Sequence, residues 1–218
     1  MLQLLELLAT HASTARFIAT KLVRRFVADQ PPESLVNQVT ESYQNTDGDI
    51  KEMLRVIFLS DEFANASPKL KRPFTFVVSA IRALDGELSN LNKLEKIDNQ
   101  HLVAMGQGLF RWPAPDGYPD VSAAWQNNLL PRWNFALTWS DNKIKGVNLP
   151  LERLLDGVTD VPSALDRIAG LLGISLNEAQ RTQLTEYVGD KPFEHRRTQK
   201  RLKEAAGIMM ASPEFQWQ

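Results

Sequence analysis

The sequence predicts an all-α protein, an irregular multi-helix bundle with a long Gly/Pro-rich loop and a C-terminal helical hairpin plus a final helix. Three observations carry that prediction. Apolar residues recur at helical spacing in segment after segment, and no segment shows sustained period-two alternation bounded by turns. Three glycines and three prolines fall between Gly106 and Pro119, where no regular element can run. At 218 residues the chain reads as one domain, 1–218, with a sub-division open near 141–149.

The first helical stretch runs from Leu2 to Val27. Ala15, Ile18, Ala19, Leu22, Val23 and Phe26 share one arc, and Arg16, Lys21, Arg24 and Arg25 share the other. Phe17 falls among the basic residues and is expected to be covered by another helix. Pro31 and Pro32 open a helix over 33–43, since proline costs nothing in a first turn. Asp49 and Glu52 make a capping-box pattern; the alternating ligands and closing glutamate of a calcium loop are missing. Pro73 starts a central helix over 74–84 that is apolar almost all round, so Arg82 within it needs a carboxylate or several carbonyls. Residues 86–97 read as a polar surface excursion, and 101–105 recover helical character. After the loop, helix resumes at 121–124 and at 132–140, and a polar linker follows. Val161, Leu165, Ile168 and Leu172 form a stripe closed by Gly173; Ser175 with Glu178 is expected to cap the next helix. Leu202, Ala205, Ala206 and Met209 stripe the last one. Lys51–Phe63 and Lys203–Phe215 align without gaps at Lys, Glu, Ser, Glu and Phe, either as a repeated unit or as two uses of one capping solution.

Composition narrows the chemistry. Twenty-five basic against 26 acidic residues leave a net charge of -1, so nothing global draws the chain to nucleic acid or anionic lipid. The local basic runs, Arg16–Arg25 and Arg196–Lys203, read as solvated helix faces, and nucleic acid is not an expected partner. No cysteine is present, which removes disulfides, thiolate metal sites and thiol nucleophiles. No apolar run approaches the roughly 20 residues of a membrane helix, and Glu6 interrupts the N-terminal leucines. As written the chain is expected to be soluble and cytoplasmic, with no signal peptide and no membrane span. His11, His101 and His195 lack helix-spaced partners, and no phosphate-binding glycine motif or serine elbow occurs. Neither a metal nor a cofactor is expected.

The densest unusual chemistry lies between Arg111 and Trp139, which holds four of the five tryptophans. Arg111, Trp112, Asp116, Tyr118, Trp125, Arg132 and Asn134 are the candidate ligand or partner contacts. Flat rings with N–H and O–H groups, flanked by carboxylate and guanidinium, suit a protein or glycan surface. The same residues equally suit internal filling, with Trp125, Trp133 and Trp139 packed between loop and helix and Asp116 paired to Arg132. A hydrolase acting on a saccharide or peptidoglycan-like substrate is the alternative, with Asp116 as acid or base, Arg132 orienting an anion, and Asp120 or Glu95 as the second carboxylate.

The order of the segments adds a resemblance. HASTARFIATKLVRRFV from His11, DIKEMLRVIFLSDEF from Asp49, KRPFTFVVSAIRAL from Lys71, MGQGLFRWPAPDGYPD from Met105, WQNNLLPRWNFAL from Trp125 and IMMASPEF from Ile208 together resemble the bacterial family catalogued as domain of unknown function 1800. The resemblance implies signature positions at Gly106, Phe110, Trp112, Pro115, Asp116, Gly117, Trp125, Arg132 and Asn134, and no settled reaction. Members are generally longer, and this chain is similar to their C-terminal portion. If it is the C-terminal part of a longer precursor, export or a periplasmic location is expected. Neighbouring genes in that family imply a sulfatase-like exported partner.

Overall fold

The computed structural model describes residues 2–89 and 94–218. α-Helices dominate, and the chain divides into two compact units, Met1–Lys69 with Pro119–Ala124, and Leu70–Tyr118 with Trp125–Gln218. Residues 141–149 lie inside the second unit.

The first unit holds α1 (Leu2–Thr10), α2 (Ala12–Phe26), α3 (Glu33–Asn45), α4 (Ile50–Phe58) and the single turn α5 (Asp61–Ala64). The expected continuous stretch over 2–27 is broken at His11, whose ring Nδ1 accepts the Ser13 N–H at 3.1 Å. That bond satisfies an orphan donor at the start of α2. Ala15, Ala19 and Val23, four residues apart, form the buried row of α2, and Ala19 and Val23 pack in one cluster with Leu35, Val36 and Val39 of α3 and Met53 and Ile57 of α4. Phe17 is not covered: it is 56% exposed, with the Lys21 ammonium 4.7 Å from its ring centre. It lies two residues on from Ala15, on the far side of the helix from the packed row. Asp49 caps α4 through the Lys51 and Glu52 N–H groups, while the Glu52 carboxylate takes Arg55 at 3.0 Å instead of closing the box. The 3-10 turn Ser122–Ala124 is tied into this unit by Asp29, which accepts the Ser122 N–H at 2.7 Å and faces Lys69 Nζ at 3.2 Å. Burial pushes the Asp29 carboxyl up, but the bonds from Ser122 and Lys69 outweigh it and hold it below the usual range.

The second unit contains α6 (Pro73–Ala83), β1 (Glu87–Leu88), the short α7 (Leu94–Ile97) running into a π turn (Asp98–Leu102), α8 (Leu129–Ser140), β2 (Val147–Asn148) and α9 (Leu151–Leu154). α10 (Val161–Leu172), α11 (Glu178–Val188), α12 (Arg196–Ala211) and α13 (Pro213–Gln216) complete it. β1 and β2 pair antiparallel, Glu87 opposite Asn148 and Leu88 opposite Val147. Of the expected excursion over 86–97, residues 90–93 lie outside the described residues.

Phe76 sits at the centre of this core, edge-on to Phe135 at 5.9 Å and Phe215 at 5.8 Å. α6 is less enclosed than its composition suggests: Phe74 and Arg82 are exposed, so Arg82 needs no buried partner. The buried guanidinium belongs to Arg132 instead. The C-terminal hairpin has Asp160 capping α10 and Gly173 at φ 68 closing it. α11 is capped by Asn177 and Gln180 in a reciprocal box, not by Ser175 and Glu178. The chain is non-helical from 174 to 177, so the cap falls two residues later than the composition suggested. The aligned segments 51–63 and 203–215 both run helix, serine, single-turn helix. Ser60 accepts the Phe63 N–H at 3.1 Å, whereas Ser212 makes no side-chain cap, and only Phe215 of the two phenylalanines is buried.

α8 and α12 pack closely because α12 offers Ala205, Ala206 and Gly207 at the crossing. A Cβ on Gly207 would lie 2.6 Å from Ser140 Oγ and 3.1 Å from Leu137 Cδ2. Gly207→Val is expected to lower stability by about 1–3 kcal/mol through overpacking. Gly207→Ala should cost less, because the Ser140 hydroxyl can turn aside and alanine favours helix. Urea unfolding of the two variants checks the order.

Candidate functional site

Of the sequence candidates, Arg111, Trp112, Asp116, Tyr118 and Trp125 lie between the π turn and α8, and Arg132 and Asn134 lie within α8; all seven belong to the second unit. The loop is irregular but densely bonded at its base. Gln107 is buried and its Oε1 accepts the Phe74 N–H at 2.8 Å. Pro73 has no N–H to offer, so Gln107 acts as a remote cap for the first free donor of α6. Asn128, which precedes α8, donates from Nδ2 to the Met105 carbonyl at 2.7 Å. Asp98 accepts the Leu109 N–H at 2.7 Å and faces the Arg111 guanidinium at 3.4 Å. Arg111 also donates to Asn99 Oδ1. Gly108 is required by space: a Cβ there would stand 2.8 Å from both Val103 Cγ2 and Arg111 Cδ.

Above this base three rings rise in a ladder. Trp125 is 3% exposed; Tyr118 lies 6.1 Å from it and 4.9 Å from Trp112, which is 39% exposed. Tyr118 Oη donates to the Gly108 carbonyl at 2.6 Å, closing the loop on itself, and Trp112 Nε1 donates to Asp116 Oδ1 at 2.8 Å. Beyond the ladder stands Phe110, fully exposed on a backbone with φ 58. A bulky side chain in the left-handed region costs of order 1–3 kcal/mol and persists only where its surroundings over-determine it.

The candidates therefore separate by depth. Arg111, Trp112, Asp116 and Asn134 are exposed, and Tyr118 is half-buried. Trp125 and Arg132 are interior. Asp116 and Arg132 do not pair: the carboxylate takes the Trp112 indole, and Arg132 Nη2 donates to the Lys71 carbonyl at 2.7 Å. Of the remaining tryptophans, Trp139 stacks on Phe135 in the core at 6.2 Å, and Trp133 is half-exposed with Nε1 3.2 Å from the Ala211 carbonyl. Asp120 faces Arg25 at 3.6 Å in the first unit, and Glu95 accepts from Asn99. By sequence Phe110 is only a signature position implied by the family resemblance and not a candidate contact, because neither its φ nor its exposure leaves a compositional mark. Lys71 was not singled out by sequence reasoning, and it is buried.

Lys71 and Arg132 form an internal latch. Lys71 Nζ donates to the Phe215 carbonyl at 2.6 Å and lies 3.8 Å from the centre of that ring. Its N–H meets the Gln216 carbonyl at 2.8 Å, and Leu70 bridges Trp217. Arg132 stands 5.4 Å from the Phe76 ring centre. Burial pushes the Lys71 ammonium down from the ordinary 10.5 to about 8, and lowers Arg132 to about 10.

Several other polar and charged groups have structural occupations. His195 caps α12 by accepting the Arg197 N–H, and half-buried His101, held down by burial, is edge-on to Phe135 at 5.4 Å. Arg16 bonds Asn37 and Glu33, and Arg201 donates to the Tyr187 carbonyl. Among the described residues no three His, Asp or Glu side chains cluster as a metal site, and no helix is long and apolar enough to cross a membrane.

These features define a predominantly helical protein with a braced, aromatic-tipped loop. The chain belongs to the family described as protein of unknown function (DUF1800), whose model matches residues 1–217. It matches no curated protein and no solved structure.

A buried lysine with a depressed pKa makes stability pH-dependent in a defined direction. Between about pH 8 and 10.5 the unfolded chain holds the Lys71 proton and the native chain does not, so stability rises with pH across that window. Below it both states are protonated and the contribution is flat. Denaturation from pH 7 to 10 should show this rise, and Lys71→Met should remove it.

Proposed function

We propose that this chain is a non-catalytic binding or assembly module whose aromatic loop meets a protein or glycan partner. One observation carries the reading: Phe110 projects fully into solvent from a left-handed backbone, beside exposed Leu109 and Trp112. Exposing an aromatic costs hydrophobic free energy, and holding it at positive φ costs more, so folding alone gives no reason for this placement. Leu109, Phe110 and Trp112 would anchor the contact. Arg111, Asp116 and Asn134 would supply its polar rim, with Tyr118, Trp125 and Arg132 stiffening the loop from below. A preformed loop binds with little ordering cost. No observation favours the hydrolase alternative: Asp116 is engaged by the Trp112 indole, Asp120 faces Arg25, and Glu95 accepts from Asn99.

The test separates binding from folding. Phe110→Gly removes the strain and a side chain that packs on nothing, so stability should hold or rise by up to about 1 kcal/mol. A photo-crosslinking residue at 110 should give a discrete adduct in extract of the source cell, or the chain should be retained on insoluble polysaccharide. Phe110→Gly and Trp112→Ala should reduce the interaction at least tenfold with helicity unchanged. Adduct and retention that ignore both substitutions would refute the reading.

A further inference from the structure

A separate concavity lies within the second unit, and none of the aromatic-loop residues lines it. The chain leaves α10 at Gly173 and stays non-helical to Asn177, so that Ile174 and Leu176 form a wall together with Leu184 of α11 and Ile208 and Met209 of α12. The recess they enclose measures about 260 Å³ and is partly open to solvent. An apolar cavity of about 150 Å³ stays dry and takes a benzene ring, so this space suits roughly ten non-hydrogen atoms. Its floor is firm, because Leu184 and Met209 belong to the core. The flexible thioether of methionine adapts to what lies on it.

Among the described residues that line the recess, Glu214 of α13 is the one charged side chain. Gln180 orients it. The amide Oε1 accepts the Asn177 N–H at 3.0 Å in the α11 capping box, and Nε2 donates to Glu214 Oε1 at 3.0 Å. The backbone N–H of Glu214 and the side chains beside it hold the carboxyl below the ordinary range, so it is an anion at neutral pH. No lysine, arginine or histidine among the described lining residues answers that charge. Tyr187, also in the lining, gives its hydroxyl proton to Glu204 at 2.7 Å. Past α13 the chain does not fill the space: Trp217 pairs with Leu70, and neither lines the recess.

From this we infer that the recess binds a small apolar amine, its body against Ile174, Leu184 and Met209 and its ammonium at Glu214. Walls and charge select that class together. The walls call for an apolar body, and an anion at the mouth favours a cation over a neutral or acidic head. The Glu214 side chain is exposed, so the ammonium keeps part of its water and no charge is buried unpaired.

The experiment is an NMR titration of the full chain, carrying isotope-labelled methionine methyls, with 3-phenylpropylamine. The Met209 methyl should shift saturably with a Kd below about 1 mM, while Met53 in the first unit stays still. The neutral isostere 3-phenylpropanol should bind about tenfold more weakly and 3-phenylpropionate not at all. n-Butylamine, which reproduces only a lysine side chain, should also bind about tenfold more weakly, because it leaves most of the walls bare. Glu214→Gln should cut the affinity for the amine about tenfold and leave that for the alcohol unchanged. Ile208→Trp, at a position that is 40% exposed, should exclude both with helicity intact. A Met209 methyl unmoved by about 10 mM amine overturns the inference. So does an alcohol that binds as tightly, or a Glu214→Gln variant that keeps the preference for the amine. n-Butylamine binding as well as the phenyl amine makes the occupant a protein lysine and overturns it too.

Discussion

Two buried cations, Lys71 and Arg132, join three stretches of chain that are far apart in sequence: the entry to α6, the first turn of α8 and the C-terminal turn. Taking a charge out of water is expensive unless polar groups and ring faces replace the water. Here the replacements are the Phe215 and Lys71 carbonyls and the faces of Phe215 and Phe76. The arrangement stacks in a fixed order, Arg132 holding the backbone of Lys71 and Lys71 holding the end of α13. Removing either side chain therefore strands the other's environment. The close α8–α12 crossing at Gly207 and the seating of Phe215 against Phe76 both depend on that alignment.

The loop inherits its stiffness from the same alignment. α6 begins directly after Lys71, and its first free N–H is capped by Gln107; α8 is preceded by Asn128, which holds Met105. The loop's base is thus fastened to the starts of the two helices that the latch joins. Upward from that base the bonding becomes internal: Tyr118 to Gly108, Trp112 to Asp116, ring upon ring from buried Trp125 to half-exposed Trp112. Such a loop can hold Phe110 at a positive φ because every neighbouring segment is already constrained.

Elements with a local physical cause were legible in the sequence. Pro73, Asp49 and Gly173 mark real helix ends because each acts on the backbone beside it. The stripes of α2, α10 and α12 are likewise real, since periodicity reports which face is apolar. What periodicity cannot report is whether a neighbour exists to cover that face. Phe17, the α1 leucines and Phe74 were apolar and stayed exposed for that reason. Burial of charge was misplaced for a related reason: Arg82 sits in an apolar run yet faces out, while Arg132 follows a proline among tryptophans and is buried against the Lys71 carbonyl and the Phe76 ring. In the candidate site the residue types were legible and their depth was not. Trp112 and Trp125 are chemically alike, and only the ladder through Tyr118 decides which is inside.

The aromatic loop and the recess beside Glu214 differ in kind, and the difference bears on how each could bind. Phe110 is held by a loop whose hydrogen bonds are complete before any partner arrives, so association would order little and the interaction would rest on one rigid anchor with its rim. The recess is the converse, walls without an anchor, whose apolar side chains gain packing only when something fills it. A surface of the first kind selects a partner by shape, because a strained aromatic cannot re-pack. One of the second kind is stabilised by occupancy itself, and since Leu184 and Met209 belong to the core, that occupancy couples to the folding of the unit that carries it.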